Sequence, residues 1–305
     1  MRSDKDNWDI NTSVGSTALF VAAARALAGR GPEPLSVDPL AEVFVRAAGG
    51  ELAQLLDGDP ELTRDHPLRS PDFGLGFQQH QSARTRYFDD YLKAAADKGI
   101  RQVVILAAGL DSRAYRLPWP AGVTVYELDR PQVLDFKRET LTAAGHSPTA
   151  NRREVAVDLR EDWLSALQQS GFDPESPTAW LVEGLLIYLS PEAQDQLFET
   201  IEKASAPGSR AAIEQMTPLP AETYETLTAP TEDDPEGANN WARLIYNAPR
   251  SDAAQWFPDR GWTATRTDLA DYLHTLGRPV PPRDPAAGFH PSNINLVTVE
   301  RPEPA

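Results

Sequence analysis

The stretch Gln102-Val-Val-Ile-Leu-Ala-Ala-Gly-Leu-Asp-Ser-Arg-Ala-Tyr-Arg-Leu117 decides the fold. A short apolar run, Val103 to Ala107, stops at the small-residue turn Ala108-Gly109. A second β-rich run, Val123-Thr-Val-Tyr-Glu-Leu-Asp129, ends on an acid. The acid follows the glycine by about 20 residues, the spacing of one βαβ unit that binds a nucleoside. Glycine lets the backbone approach a ligand closely. An acid at the end of the next strand can accept from both ribose hydroxyls. Together they predict an adenosine-containing cofactor.

Outward from this unit the chain divides in two. Residues 13–29 read as a helix with Val14, Ala18, Val21, Ala22 and Ala26 on one face, stopped by Gly29 and Gly31-Pro32. Val37 to Ala48 reads as a second helix, and a polar, proline-containing connection runs from Asp57 to Asp72. Ala83 to Lys98 reads as a third, with Tyr87, Phe88, Tyr91, Leu92 and Ala95 at helical spacing. After residue 100 strands and helices alternate. Predicted strands are Val103–Ala107, Val123–Leu128, Glu154–Val157, Trp180–Val182, Arg210–Ile213, Trp262–Thr267 and Ile294–Val299. Ser190-Pro191-Glu192 has the order of an N-cap, a proline at the first helical position and a first-turn acid. Such alternation implies a parallel α/β sheet covered on both faces. Three segments result: a helical N-terminal cap over 1–98, a Rossmann-like α/β core over 99–216 and 259–305, and a proline-rich, acidic cap insertion over 217–258.

Bulk composition excludes several classes. The 305 residues are 41% hydrophobic, enough for one large core. A net charge of −16 repels phosphate backbones and anionic lipid, so neither nucleic acid nor membrane is an expected partner. The absence of cysteine excludes disulfides, thiolate metal sites and a cysteine nucleophile. No apolar signal core and no membrane-length apolar run occurs, so a cytoplasmic protein is expected. The five histidines show no metal-ligand spacing, and no metal is expected. His80, His274 and His290 read as surface or cap residues.

Ligands in such sheets sit beyond the carboxyl ends of the strands. The chain places Gly109, Asp129, Asp158 and Glu183 at four successive strand ends. NAD is disfavoured, because its fingerprint needs three spaced glycines and Ala107-Ala108-Gly109-Leu110 holds one. A cofactor without phosphates needs fewer, which favours S-adenosylmethionine. Asp129 would take the ribose and Asp158 the adenine amino group, against ordinary roles as a solvated acid and a helix cap. Glu183, before Gly184, stands between a ligand-facing and a structural acid. Arg84 could clamp the cofactor's carboxylate in a bidentate pair. Arg86 reads as a surface partner of Asp89 or Asp90.

Several ordered motifs resemble the leucine carboxyl methyltransferase family, most closely its actinobacterial branch of S-adenosylmethionine-dependent methyltransferases. They are Ser82-Ala-Arg-Thr-Arg86, Ile105 to Leu117, Tyr126-Glu-Leu-Asp129, Val157-Asp-Leu159 and Val182-Glu-Gly-Leu-Leu-Ile-Tyr-Leu189. The resemblance implies a class I methyltransferase fold, a seven-stranded sheet whose last strand is antiparallel. It implies that Arg84 holds the methionine carboxylate and that the Gly109 turn passes under the methionine. It further implies that Asp129 binds the ribose, that Asp158 and Leu159 frame the adenine, and that Glu183 lies near the amino group. The family turn usually reads Gly-x-Gly-x-Asp, and its first glycine is Ala107 here.

Methyl transfer mainly needs alignment and a dry site. A carboxylate acceptor is already ionised at neutral pH and needs no base. O-methylation of a carboxylate on a small metabolite or peptide end is therefore the favoured reading. Arg113 and Arg116 are expected to orient it, with Tyr188 the available group should the acceptor be a hydroxyl or phenol. A dehydrogenase and a non-catalytic adenosine-binding protein are the remaining alternatives. Acceptor identity and oligomeric state are not legible.

Overall fold

A computed structural model describes residues 13–58, 63–71, 73–229, 241–280 and 290–303. Parts of the expected 57–72 connection and 217–258 insertion, and the side chains of Val14 and Trp241, lie outside the described residues. Four helices, α1 (Ser13–Gly29), α2 (Pro39–Ala48), α3 (Gly50–Asp57) and α4 (Gly74–Asp97), precede the first strand. Then come β1 (Gln102–Leu106), α5 (Arg113–Arg116), β2 (Thr124–Asp129), α6 (Pro131–Ala143), β3 (Asn151–Ala156), α7 (Trp163–Gln169) and β4 (Thr178–Val182). They are followed by α8 (Pro191–Lys203), β5 (Arg210–Met216), α9 (Ala221–Thr228), α10 (Ala253–Trp256), β6 (Thr263–Asp268), α11 (Leu269–Thr275) and β7 (Ile294–Glu300).

The sheet order is β3-β2-β1-β4-β5-β7-β6. The first five strands are parallel, while β7 runs antiparallel to both β5 and β6. Strand order reverses between β1 and β4, which opens the crevice where ligands of open α/β sheets bind. The predicted strands all form, with ends shifted by a few residues. The helix expected from Ala83 begins earlier, at Gly74. Gln78, Gln79 and Gln81 blur the apolar period there. Gly74 itself answers a steric demand, since a Cβ would fall 2.3 Å from the Leu68 carbonyl oxygen.

Each sheet face has its own core. Val103 and Ile105 of β1 face inward with Leu19, Ala22 and Ala23 of α1, Phe44 of α2 and Phe88 and Leu92 of α4. Val104 and Leu106 face the other way, with Trp163 and Leu167 of α7, Phe198 of α8 and Phe257 beyond α10. A strand buried on both faces must be apolar throughout, which is why β1 reads Gln-Val-Val-Ile-Leu. On α8, the Ser190 hydroxyl accepts from the Ala193 N–H, so the cap read from sequence is formed. Phe198 packs against Trp256 and Phe257, at centroid distances of 5.4 and 5.2 Å. Phe198→Ala should therefore destabilise by about 3–5 kcal/mol. Chemical denaturation monitored by tryptophan fluorescence would measure it.

Candidate active site

The turn after β1 is strained and tightly held. Ala107 has φ 51°, the only non-glycine residue in the left-handed region among the described residues, and Gly109 has φ 45°. Left-handed backbone disfavours a Cβ. Such conformations persist where the surroundings over-determine them. Here the Ala108 N–H donates to the Leu128 carbonyl at 3.0 Å, and the Asp111 N–H to the Ala108 carbonyl at 2.8 Å. The Gly109 N–H donates to Asp129 Oδ2 at 2.7 Å, while Asp129 Oδ1 accepts from the Arg130 N–H at 2.7 Å. The sequence-predicted pair is thus in direct contact. Burial pushes the Asp129 carboxyl above the usual aspartate range, opposed by the two N–H donors.

Beside the turn lies a web of buried charge. In the β4–β5 pairing Val182 stands opposite Ile213, so the next residues, Glu183 and Glu214, are neighbours. Arg84, buried on α4, donates from Nη1 to Glu214 Oε2 at 2.8 Å and from Nη2 to Gln81 Oε1 at 2.6 Å. Its Nε lies 3.0 Å from Glu183 Oε1 but without hydrogen-bond alignment, so this buried N–H has no hydrogen-bond partner. Glu214 also accepts from the Gly184 N–H at 2.7 Å and faces His80 Nε2 at 3.4 Å. Burial alone would raise the Glu214 carboxyl, but the Arg84 charge and the His80 contact outweigh it and hold it down at about 2. Burial lowers the His80 pKa despite Glu214.

Arg113 and Arg116 are committed elsewhere. Arg113 bridges Asp89 at 2.7 Å, Glu183 at 2.7 Å and Asp111. Arg116 pairs with Asp89 at 2.6 Å and donates to Ser112 Oγ at 2.9 Å. Both guanidinium groups are thus engaged by acids of the chain, as that of Arg84 is by Glu183 and Glu214. Asp158 is gripped by Arg160 at 2.6 Å and Arg130 at 3.2 Å, and the Arg160 hydrogen bonds lower its pKa to about 2. Leu159 packs half-buried on the core of the α7 and α8 face. Tyr188 sits in the 3-10 turn Leu186–Tyr188, just beyond Glu183-Gly184. Arg250 staples that turn to the following loop, donating to the carbonyls of Leu189 at 3.2 Å and Tyr246 at 2.7 Å.

Two expectations about histidine are refined. His80 is buried, not a surface residue, because its ring fills the space between Phe77 and Glu214. His290 caps the 3-10 turn Pro291–Asn293, as a cap residue should. Arg86 is the exposed partner of Asp90 at 3.7 Å. Glu214 was missed by sequence reading, although the strand-end rule that found Glu183 extends to β5. Among the described residues no cluster of three or more His, Cys, Asp or Glu could hold a metal, and no helix is long and apolar enough to cross a membrane. Concavities of about 580 and 230 Å³ lie away from these strand ends, one beneath Arg152 and one walled by Tyr87, Tyr91 and Tyr272.

The leucine carboxyl methyltransferase family model matches residues 18–202. A protein of Mycobacterium sp. strain KMS is 56% identical over 99% of this chain and 100% of its own length. One from Mycolicibacterium paratuberculosis is 55% identical, again over 99% and 100%. Both are described as "Putative S-adenosyl-L-methionine-dependent methyltransferase". A solved structure from Thermobifida fusca, described as a "putative methyltransferase", aligns over 95% of this chain and 98% of that one, with a TM-score of 0.48 and 16% identity.

The chain belongs to the leucine carboxyl methyltransferase family. It is accordingly a methyltransferase whose methyl donor is S-adenosylmethionine. The residues present fit that donor. Arg84 is a buried cation between Glu183 and Glu214, and the Gly109–Asp129 contact puts an acid beside a turn where backbone can come close. Asp129→Ala and Arg84→Ala should each weaken S-adenosylhomocysteine binding more than tenfold, about 1.5–3 kcal/mol, in calorimetry on folded protein. A further expectation concerns acid. Glu214 has a depressed folded pKa, so its stabilisation is fully present above the unfolded value near 4.5 and is lost as pH falls toward about 2. Glu214→Gln should show a shallower loss of stability than the parent between pH 5 and 2, followed by urea denaturation.

Proposed function

We propose that this S-adenosylmethionine-dependent methyltransferase acts on a carboxylate oxygen of a small metabolite or peptide end and forms a methyl ester. One observation carries the reading. Glu183, just past β4, and Glu214, within β5, are already ion-paired, Glu183 to Arg84 and Arg113 and Glu214 to Arg84, and so are poorly placed to remove a proton. An ionised carboxylate needs none removed, since its own pKa lies well below neutrality. The donor supplies an electrophilic sulfonium methyl for in-line displacement. Arg84 holds the donor's carboxylate, Asp129 accepts from the ribose, and Asp158 with Leu159 borders the adenine. Leu185 and Leu186 beside Gly184 are buried, and exclusion of water strengthens charge interactions. The helices before β1 and the described residues of the 217–258 segment shape the acceptor side, as loops on a rigid scaffold commonly do.

A second reading has one observation in its favour. His80 and Glu214 stand 3.4 Å apart, and a neutral imidazole oriented by a carboxylate can take a hydroxyl proton once its Nδ1 is released from Gln81 Nε2, 3.2 Å away. Product chemistry separates the two. A transferred methyl should leave as methanol in mild alkali, and Tyr188→Phe and His80→Gln should each retain most of the parent's turnover. An alkali-stable methyl together with an inactive, folded His80→Gln or Tyr188→Phe variant would establish a hydroxyl acceptor instead.

A further inference from the structure

Lys137 of α6 is completely buried, as is Glu127 of β2. Lys137 Nζ lies 2.9 Å from Glu127 Oε2 and donates to the Asp111 carbonyl oxygen at 2.8 Å. The same Glu127 oxygen accepts from Arg152 Nε at 2.8 Å, whereas Glu127 Oε1 is buried with no hydrogen-bond partner. Glu127 therefore has a cation in Arg152 whether or not Lys137 is present. Desolvating an ammonium costs several kcal/mol, and an apolar side chain of similar size would avoid that cost. Charge balance alone leaves the lysine unexplained.

The Asp111 contact supplies the reason. Asp111 closes the left-handed turn: its N–H reaches Ala108, and its carboxylate takes the Arg113 N–H at 2.7 Å and the Arg113 guanidinium. Leu110, one residue earlier, gives its carbonyl to Arg25 Nη2 at 3.0 Å. Two successive carbonyls of the turn thus accept from cations, one on α1 and one on α6. We propose that Lys137 is a positioning residue for the methyl donor: it holds the Asp111 carbonyl and so keeps the Ala107–Gly109 backbone in its donor-binding form. The proposal rests on the assignment of this turn to S-adenosylmethionine.

Calorimetry with S-adenosylhomocysteine, beside thermal melts without ligand, tests it on Lys137→Met, Glu127→Gln and the double variant. Lys137→Met should bind at least tenfold more weakly. Glu127→Gln, which keeps the lysine–carbonyl contact, should bind within about threefold of the parent. The double variant, which removes both charges of the Lys137–Glu127 pair, should recover melting temperature but not affinity. Parental affinity in the double variant would overturn the proposal, since Lys137 would then serve only to neutralise Glu127. Should the double variant not fold, a tenfold loss in Glu127→Gln alone would overturn it equally. A parent protein that binds no S-adenosylhomocysteine would instead refute the cofactor assignment of the turn.

Discussion

The structure depends on one constraint, that a non-glycine backbone be kept left-handed at Ala107. A strained residue of this kind survives because its neighbours have nowhere else to go. The Leu128 carbonyl, the Asp129 carboxylate, Arg25 and Lys137 fix successive polar atoms of residues 108 to 111. The partners come from β2, α1 and α6, so the turn is also where those elements meet. Asp38 extends the junction. It caps α2 through the Leu40 and Ala41 N–H groups, pairs with Arg25 at 3.1 Å and accepts from Ser112 Oγ at 2.7 Å. The helices before β1 therefore share polar contacts with the turn as well as a core with the sheet.

The fold was legible because its demands are periodic. Strands buried on both faces must be apolar runs, and each ended at a small or acidic residue where the crevice opens. Boundaries were less legible where tertiary contacts override local pattern. The start of α4 is set by the close approach of Gly74 to Leu68, which no spacing encodes. At the site, the acid and glycine of the βαβ unit announced their contact because both belong to one short unit. Glu214 and His80 did not, since their meeting depends on the β4–β5 register and on α4 crossing beneath it.

Arginine roles were the least legible part. Sequence shows that Arg113 and Arg116 follow the turn, but not whether an acid of the chain has claimed them. Asp89 claims both, from α4, residues that lie before β1. Opposite charges attract over several ångströms in a poorly screened interior, so any buried arginine collects the nearest carboxylates. Arg113, held among Asp89, Asp111 and Glu183, is a strut for those acids. Arg113 in this sense fixes Glu183, and Arg116 fixes Asp89, which in turn steadies Arg113.

The same web bears on the acceptor. Arg84, Arg113 and Arg116 carry three positive charges, against four negative ones on Asp89, Asp111, Glu183 and Glu214. A site with surplus negative charge attracts a donor whose sulfonium and ammonium outweigh its carboxylate. For a carboxylate acceptor the sulfonium itself is then the counter-charge, and no spare arginine is required. Transfer cancels the two charges, and a dry, low-dielectric site favours a reaction that disperses charge over one that separates it. The commitment of Arg113 and Arg116 to the protein's own acids is therefore compatible with esterification, and it places the demand for cationic help on the donor.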